Sequence, residues 1–467
     1  MVWKDFPHHV FREYDIRGVA DDEISEQLAY ALGKVFMTLL PEGETRPVIV
    51  GRDVRLSGPH LQAALIKGLR ESGLDVLDLG VVPTPLAYYA TYHLEAAGCI
   101  EVTASHNPGA DNGFKMMVGR NSLHGEILQT LKNQIIMLAD EPSETEKSNR
   151  TGHYQTIDVT HDYITFVQQD CPLRRPLRVV IDAGNGPAGV IAAPLYRAMG
   201  CEVTELFCEP NGHFPNHHPD PTVEENMKDL ATTVMKRNAD LGIAFDGDGD
   251  RIGVVNHQGK IIWGDMLLLL LAKELLTHHP GATIISEIKS SMHMYDGIRA
   301  AGGNAIMGET GHSPIKAKMR ATGALLAGEM SGHIFFADRY FGFDDATYAG
   351  ARILQLLAAQ DEPLANLLND VPFSIITPEI RIACPDAIKF QRVEEAKNYF
   401  SAAGYTMIII DGMRLEFEDG WALLRASNTQ AALVMRFEAP CQNRLNEMRA
   451  LIEGWLEQQR NEDASPL

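Results

Sequence analysis

The chain has 467 residues, which at roughly 150 residues per domain corresponds to about three domains, each able to bury its own core, and excludes a single small module. Hydrophobic residues make up 45% and charged residues 22%, and no run approaches the roughly 18 apolar residues that span a bilayer, so a globular, cytoplasmic protein is expected. With 41 basic and 62 acidic side chains the formal charge is −21, which repels phosphate backbones and anionic lipid; nucleic acid and membrane are not expected partners.

The first residues, Met1 to His9, lack the basic segment, apolar run and small-residue cleavage site of a secretory leader. Val48-Ile-Val-Gly-Arg-Asp-Val-Arg-Leu-Ser-Gly58 then sets a short β-branched run before a polar loop and a helical pattern. Val179-Val-Ile-Asp-Ala-Gly-Asn-Gly and Thr283-Ile-Ile-Ser-Glu repeat that layout, which builds mixed, mainly parallel α/β sheets. Gly80-Val-Val and Cys99-Ile-Glu-Val-Thr read as strands flanking a helix from Pro85 to Leu94, and polar Ala139 to Gly152 as a linker. Beyond about Val371 alternating strands such as Ala432-Leu-Val-Met-Arg-Phe437 and a closing helix from Gln442 to Gln459 indicate a smaller α+β domain. The expected domains are 1–151, 152–257, 258–370 and 371–467, with a hinge near Asp370 to Phe373. The six cysteines are scattered and form no CxxC pair, so buried reduced thiols are expected rather than a zinc site or a disulfide scaffold.

Four segments carry chemistry. Thr103-Ala-Ser-His-Asn-Pro108 follows the strand at Ile100 and opens a loop rich in Gly and Asn that reaches Lys115. Ser105 is thereby placed as a nucleophile or phosphoryl carrier, beside His106. Asp246-Gly-Asp-Gly-Asp-Arg251 follows the apolar run Leu241-Gly-Ile-Ala-Phe and can turn several carboxylates toward one divalent cation. An EF-hand is excluded there, because its Gly and Glu positions hold Arg251 and His257. Gly328-Glu-Met-Ser-Gly-His333 spaces Glu329 and Ser331 two apart, so that an extended chain would aim both at vicinal sugar hydroxyls while His333 reaches further out. Arg425-Ala-Ser-Asn-Thr-Gln430 offers an arginine, hydroxyls and backbone N–H groups as a phosphate cradle. Neither GxGxxG nor a Walker lysine motif occurs, so nucleotide binding loses its usual support.

In that order the four loops resemble the α-D-phosphohexomutase superfamily, and within it the bacterial phosphomannomutase/phosphoglucomutase group. The resemblance runs from Phe11-Arg-Glu-Tyr-Asp-Ile-Arg-Gly18 through Asn211-Gly-His-Phe-Pro-Asn-His-His-Pro-Asp220 to the cradle. It implies four domains around a central cleft, a phosphoryl group carried on Ser105, and one Mg²⁺ held by Asp246, Asp248, Asp250 and a phosphate oxygen on Ser105. It implies too that Arg17, His106, Lys115 and Arg251 surround the transferring phosphoryl, and that Glu329, Ser331 and His333 meet the sugar. Arg425, Ser427, Asn428 and Thr429 would hold the non-reacting phosphate, with Tyr14, Lys289 and His312 lining the cleft. The implied reaction moves a phosphoryl group between the 1- and 6-positions of mannose or glucose phosphate, through a hexose 1,6-bisphosphate that also serves as activator, in a monomer or weak homodimer. Met330 resembles the enzymes that accept both sugars. Glucosamine- and N-acetylglucosamine-phosphate mutases, a metal-dependent sugar phosphatase and a non-catalytic sugar-phosphate-binding protein are the alternatives.

Overall fold

The computed structural model describes residues 7–140, 150–427 and 430–464. Among these residues the chain forms four sheets, one per domain.

In the first sheet the strands Val48–Arg52, Val76–Val81 and Gly98–Val102 run parallel, while Asp111–Val118 turns back antiparallel beside Gly98–Val102 and pairs in turn with Ile16–Val19. Every residue of Gly98–Val102 is buried, as expected for a central strand covered on both faces. The second sheet is built on Arg178–Asp182, Glu202–Leu206 and Leu241–Phe245 in parallel, with Ile252–Asn256 antiparallel. The third pairs Thr283–Glu287 in parallel with Asn304–Gly308 and Leu326–Gly328, then adds Ile334–Phe336 antiparallel. The fourth is wholly antiparallel around Gly420–Ala426 and Ala432–Ala439, with the helices Lys389–Ala402 and Gln442–Ala464. Short strands extend the sheets beyond the expected elements, among them Asn121–Ser122 beside Asp111–Val118. Tyr154–Thr156 covers the open edge of Val76–Val81, and Ile261–Ile262 forms a hairpin with Ile252–Asn256. Strands of two or three residues carry too little pattern to be read in advance.

The first three domains share one apolar core. Helix Thr84–His93 is buried over most of its surface, and its Leu86, Tyr88 and Tyr89 belong to the same cluster as Val167 and Tyr196 of the second domain and Leu268, Phe336 and Tyr348 of the third. The last domain has a separate core around Phe400, Leu424 and Trp455. It meets the third domain through a small apolar contact of Ile288, Trp421 and Leu423, framed by buried charges. Glu438, fully buried, accepts hydrogen bonds from Ser291 Oγ (2.7 Å), the Met292 N–H (2.9 Å) and Ser374 Oγ (2.7 Å). Arg414 donates to the Ile288 and Ser290 carbonyls (2.7 and 2.8 Å), and Arg436 donates to that of Lys289. A pivot near residues 370–373 must therefore break these bonds or carry the segment 288–292 with it.

Glu438→Ala removes the acceptor of several charge-assisted hydrogen bonds, each contributing on the order of 1.5–3 kcal/mol. The last domain should then unfold ahead of the other three, seen in calorimetry as a new transition at lower temperature. A trace matching the wild type would show that Glu438 does not latch the domain.

Candidate active site

Three of the four loops leave the carboxyl end of a strand and converge, the usual place for a site in an open α/β sheet. Ser105 follows Gly98–Val102, is 1% exposed, and has φ of +53°, a left-handed conformation that costs a residue with a Cβ on the order of 1–3 kcal/mol. Its Oγ donates to Asp246 Oδ2 at 2.9 Å and lies 3.1 Å from His106 Nδ1. The other oxygen of Asp246 accepts the N–H groups of Gly249, Asp250 and Arg251 (3.0, 3.1 and 3.1 Å), which winds the acidic loop around it.

Asp246, Asp248 and Asp250 are fully buried, and one oxygen of each lies within 4.8 Å of the others. Burial, then the charges of Asp248 and Asp250, pushes Asp246 well above the usual carboxylate range. Asp248 Oδ1 has no hydrogen-bond partner, and Asp250 Oδ1 faces His333 Nε2 at 3.3 Å. These two carboxylate oxygens, with Asp246 Oδ2 and Ser105 Oγ, form an all-oxygen donor set, which fits a hard divalent cation. The opposite oxygen of Asp248 accepts from Lys115 Nζ at 2.6 Å and from Thr84 Oγ1 at 2.6 Å, and Lys115 also pairs with Asp250. Burial disfavours the Lys115 ammonium, but Asp248 and Asp250 outweigh it and raise its pKa.

Arg17 and Arg251 stand beside the serine loop. Arg17 donates to Asn107 Oδ1 (2.6 Å) and pairs with Asp15 (2.5 Å), leaving its buried Nε without a partner. Arg251 lies 3.9 Å from Asp246 Oδ2, and its Nε is 3.3 Å from His333 Nε2. Burial, followed by the charges of Arg251, Arg17 and Lys115, holds His106 well below the usual imidazole range, so it is neutral.

The third-domain loop is not extended. Residues 329–332 form a turn closed by Gly332 N–H to the Glu329 carbonyl (3.0 Å), and Gly332 sits at φ +94° with its Cα facing Ile252 O, where a Cβ would lie 2.3 Å from that oxygen. Glu329, Ser331 and His333 therefore meet across the turn: His333 Nδ1 is 2.8 Å from Glu329 Oε2 and 3.3 Å from Ser331 Oγ. Nor does His333 reach outward; it is 4% exposed, with Nε2 3.3 Å from Asp250 Oδ1. Burial opposes its charge, but Asp250 and Glu329 prevail and raise it to about 9. The positive charge is thus retained at neutral pH.

A second group forms the opposite wall. Arg425 pairs with Asp411 at 2.9 Å, and Asp411 accepts the Thr310 N–H at 3.2 Å. Tyr14 donates to the Thr310 carbonyl at 2.8 Å, and its ring stands edge-on to His312 with centroids 6.0 Å apart. Lys289 lies between Glu379 (2.8 Å) and Glu287 (3.2 Å). Ser427 is 3% exposed and its Oγ accepts the Gln430 N–H at 3.1 Å. Asn428 and Thr429 lie outside the described residues. His312 is held neutral by burial and by Lys316, and lies 3.4 Å from Asp344 Oδ2.

Sequence reading missed several members. Asp344, fully buried, pairs with Lys316 (2.9 Å) and faces His312; Glu101, fully buried with both oxygens unpartnered, is kept neutral by burial and by Asp53 and Asp248. Asp411, Glu287 and Glu379 neutralise the arginine and lysine of the far wall. Asp53 and Arg55 carry a signal that was available, since they too follow directly on a buried strand.

Comparison with known proteins identifies the family. Family models described as phosphoglucomutase/phosphomannomutase alpha/beta/alpha domains I, II and III match residues 8–141, 161–259 and 263–373, and the C-terminal domain model matches 379–454. The phosphomannomutase/phosphoglucomutase of Pseudomonas aeruginosa is 43% identical over 451 residues, covering 96% of both chains. The phosphoglucomutase of Neisseria gonorrhoeae is 44% identical over 454 residues, 95% of this chain and 96% of its own. The crystal structure of a phosphoglucomutase/phosphomannomutase family protein from Burkholderia thailandensis superposes with a TM-score of 0.89 at 41% identity, covering 97% of this chain and 98% of that one. The chain belongs to the phosphoglucomutase/phosphomannomutase family. Among the described residues no helix is long and apolar enough to cross a membrane.

Asp248→Asn should weaken divalent-metal binding by more than about tenfold, since losing even an outer partner of a metal ligand costs roughly 10–100-fold. Titration with Mn²⁺ followed by electron paramagnetic resonance reads this without turnover. An unchanged affinity would exclude the triad as the metal site.

Proposed function

We propose that this chain is a phosphomannomutase/phosphoglucomutase, interconverting hexose 1- and 6-phosphates through a phosphoserine at residue 105. The observation that supports it most is Ser105 Oγ, 2.9 Å from Asp246 in a buried cluster flanked by Lys115, Arg251 and Arg17. Phosphoryl transfer asks chiefly for positioning and for neutralising charge on the phosphoryl oxygens, and this cluster supplies both.

Starting from the phosphoenzyme, the bond between Ser105 Oγ and phosphorus breaks while a bond forms from the free hydroxyl of the bound hexose phosphate. The hydroxyl gives up one proton and Ser105 Oγ regains one. His106 and His312 are both held unprotonated, and His106, the one beside Oγ, is the proposed relay for the proton. The resulting 1,6-bisphosphate turns in the cleft and returns its other phosphoryl group to Ser105. Asp246, Asp248 and Asp250, with the group on Ser105, would hold Mg²⁺, which would supply further neutralisation of that charge. A hexose 1,6-bisphosphate primes the serine.

At the far wall Arg425, with Ser427, Asn428, Thr429, Lys289 and Tyr14, holds the phosphate that is not being transferred, while Glu329, Ser331 and His333 bind the sugar. Met330 lies in the turn that presents them and supports acceptance of both mannose and glucose phosphates. Glucosamine- or N-acetylglucosamine-phosphate mutase activity is the second reading, disfavoured because relatives above 40% identity bear the phosphomannomutase and phosphoglucomutase names. The reading takes the chain as a monomer or weak homodimer. Unpaired, mostly buried cysteines suit the cytoplasm.

Ser105→Ala should nearly abolish turnover and leave substrate affinity within a few fold. Wild type treated with glucose 1,6-bisphosphate should gain one phosphate, mapped to Ser105; labelling elsewhere would overturn the carrier assignment. Arg425→Ala should weaken apparent affinity for both sugar 1-phosphates by roughly one to two decades, from the loss of about 1.5–3 kcal/mol. An unchanged KM would remove Arg425 from the phosphate wall.

A further inference from the structure

We infer that Arg55 is the positioning residue of the serine loop, fixing the backbone that carries Ser105 so that Oγ meets the phosphoryl group at one place in both directions of the reaction. The inference rests on the proposed role of Ser105.

Arg55 is fully buried, and all five of its N–H groups are used. Nε donates to Asp53 Oδ2 at 3.0 Å. One terminal nitrogen donates to the carbonyls of Pro108 (2.5 Å) and Asp111 (2.7 Å), the other to those of Ser105 and Asn107 (both 2.7 Å). Those carbonyls belong to a stretch that, apart from its end at Asp111, has no strand partner, so the side chain takes the place of a sheet neighbour. A planar fork can serve carbonyls spread over seven residues; an ammonium, with three donors on one atom, cannot.

Ser105 is gripped at both ends of its peptide unit. Its carbonyl is held by Arg55, and its N–H donates to Thr103 Oγ1 at 2.9 Å. Thr103 Oγ1 in turn donates to Asp53 Oδ2 at 2.7 Å, so both arms return to the one carboxylate. This double hold maintains the left-handed φ of +53° that turns Oγ toward Asp246. The second domain backs the device. The Phe214 ring lies 5.8 Å from the guanidinium carbon, and Gly212 packs so closely that a Cβ there would come within 2.3 Å of Val54 O. Gly212 and Phe214 thereby pack against Val54, Arg55 and Gly109 of the serine-loop region. Being fully buried, Arg55 has no surface for substrate, so its influence must pass through the loop.

The test uses the full chain loaded with Mg²⁺. Arg55→Lys keeps the charge and loses the fork; kcat should fall about 100-fold, the size of effect expected of a misplacement near 1 Å, while KM for glucose 1-phosphate stays within about threefold. Hydrogen exchange should rise in residues 103–111 and not in the last domain. In Arg55→Ala, methylguanidinium should restore part of kcat and methylammonium should not. Wild type that takes no label on Ser105 from glucose 1,6-bisphosphate would overturn the mutase reading and this inference with it. Wild type that labels normally, beside an Arg55→Lys variant with unchanged kcat, would overturn the role of Arg55 alone. A drop in activity matched by a drop in folded protein, with kcat per folded molecule unchanged, would overturn it equally.

Discussion

Three carboxylates packed at zero exposure within reach of one another dictate how the domains of this molecule must come together. Such a cluster is unfavourable unless cations answer it, because desolvation and mutual repulsion both oppose the charged forms. The cations come from separate domains: Lys115 from the first, Arg251 from the second and His333 from the third. Convergence of the domains is thereby written into the electrostatics of the cleft. The overall charge of −21 would repel an anionic substrate, and Lys115, Arg251, Arg17 and His333 are the cations placed to answer it at the proposed site of phosphoryl transfer.

Packing divides the molecule differently from the sheets. A continuous apolar core makes the first three domains one body, so the Ser105 loop, the acidic triad and the sugar turn keep a fixed relation. The last domain has its own core and meets the others through a smaller contact built on buried hydrogen-bonded charge. Its Arg425 is joined through Asp411 to the Thr310 backbone, and Lys289 is held between Glu287 of the third domain and Glu379 of the fourth. The proposed far phosphate would therefore be bound by a wall that two domains make together. A rotation of the last domain would change that wall and leave the Ser105 cluster, built on the first three domains, in place.

The strands ahead of the chemical loops were legible because a short apolar run before a Gly-rich polar loop has few other readings, and Leu241–Phe245 and Gly98–Val102 fall where that pattern puts them. The acidic loop was legible because alternating Asp and Gly is hard to explain without a cation. The course of Gly328 to His333 was not. A two-residue spacing suggests an extended chain, but Gly332 at φ +94° closes a turn, and the tertiary contact with Ile252 that requires it is invisible in sequence. Asp344, Lys316, Asp411 and Glu379 were missed for the same reason: each acts through a partner 14 to 101 residues away, as with Asp411 and Thr310 or Asp411 and Arg425, and nothing local marks it. Arg55 stood next to a recognised strand, yet only the folded loop shows all its N–H groups engaged.

If the proposed function holds, the buried cluster passes a phosphoryl group between Ser105 and a sugar hydroxyl while excluding water. A single turnover distinguishes this from hydrolysis: enzyme carrying ³²P on Ser105, in excess over unlabelled glucose 1-phosphate, is quenched and its label followed by position. The label should leave Ser105 for the 6-position of the hexose, first in the 1,6-bisphosphate and then in glucose 6-phosphate, with no inorganic phosphate above the rate of the enzyme alone. Label released as inorganic phosphate in step with sugar binding would contradict transfer and identify a phosphatase instead.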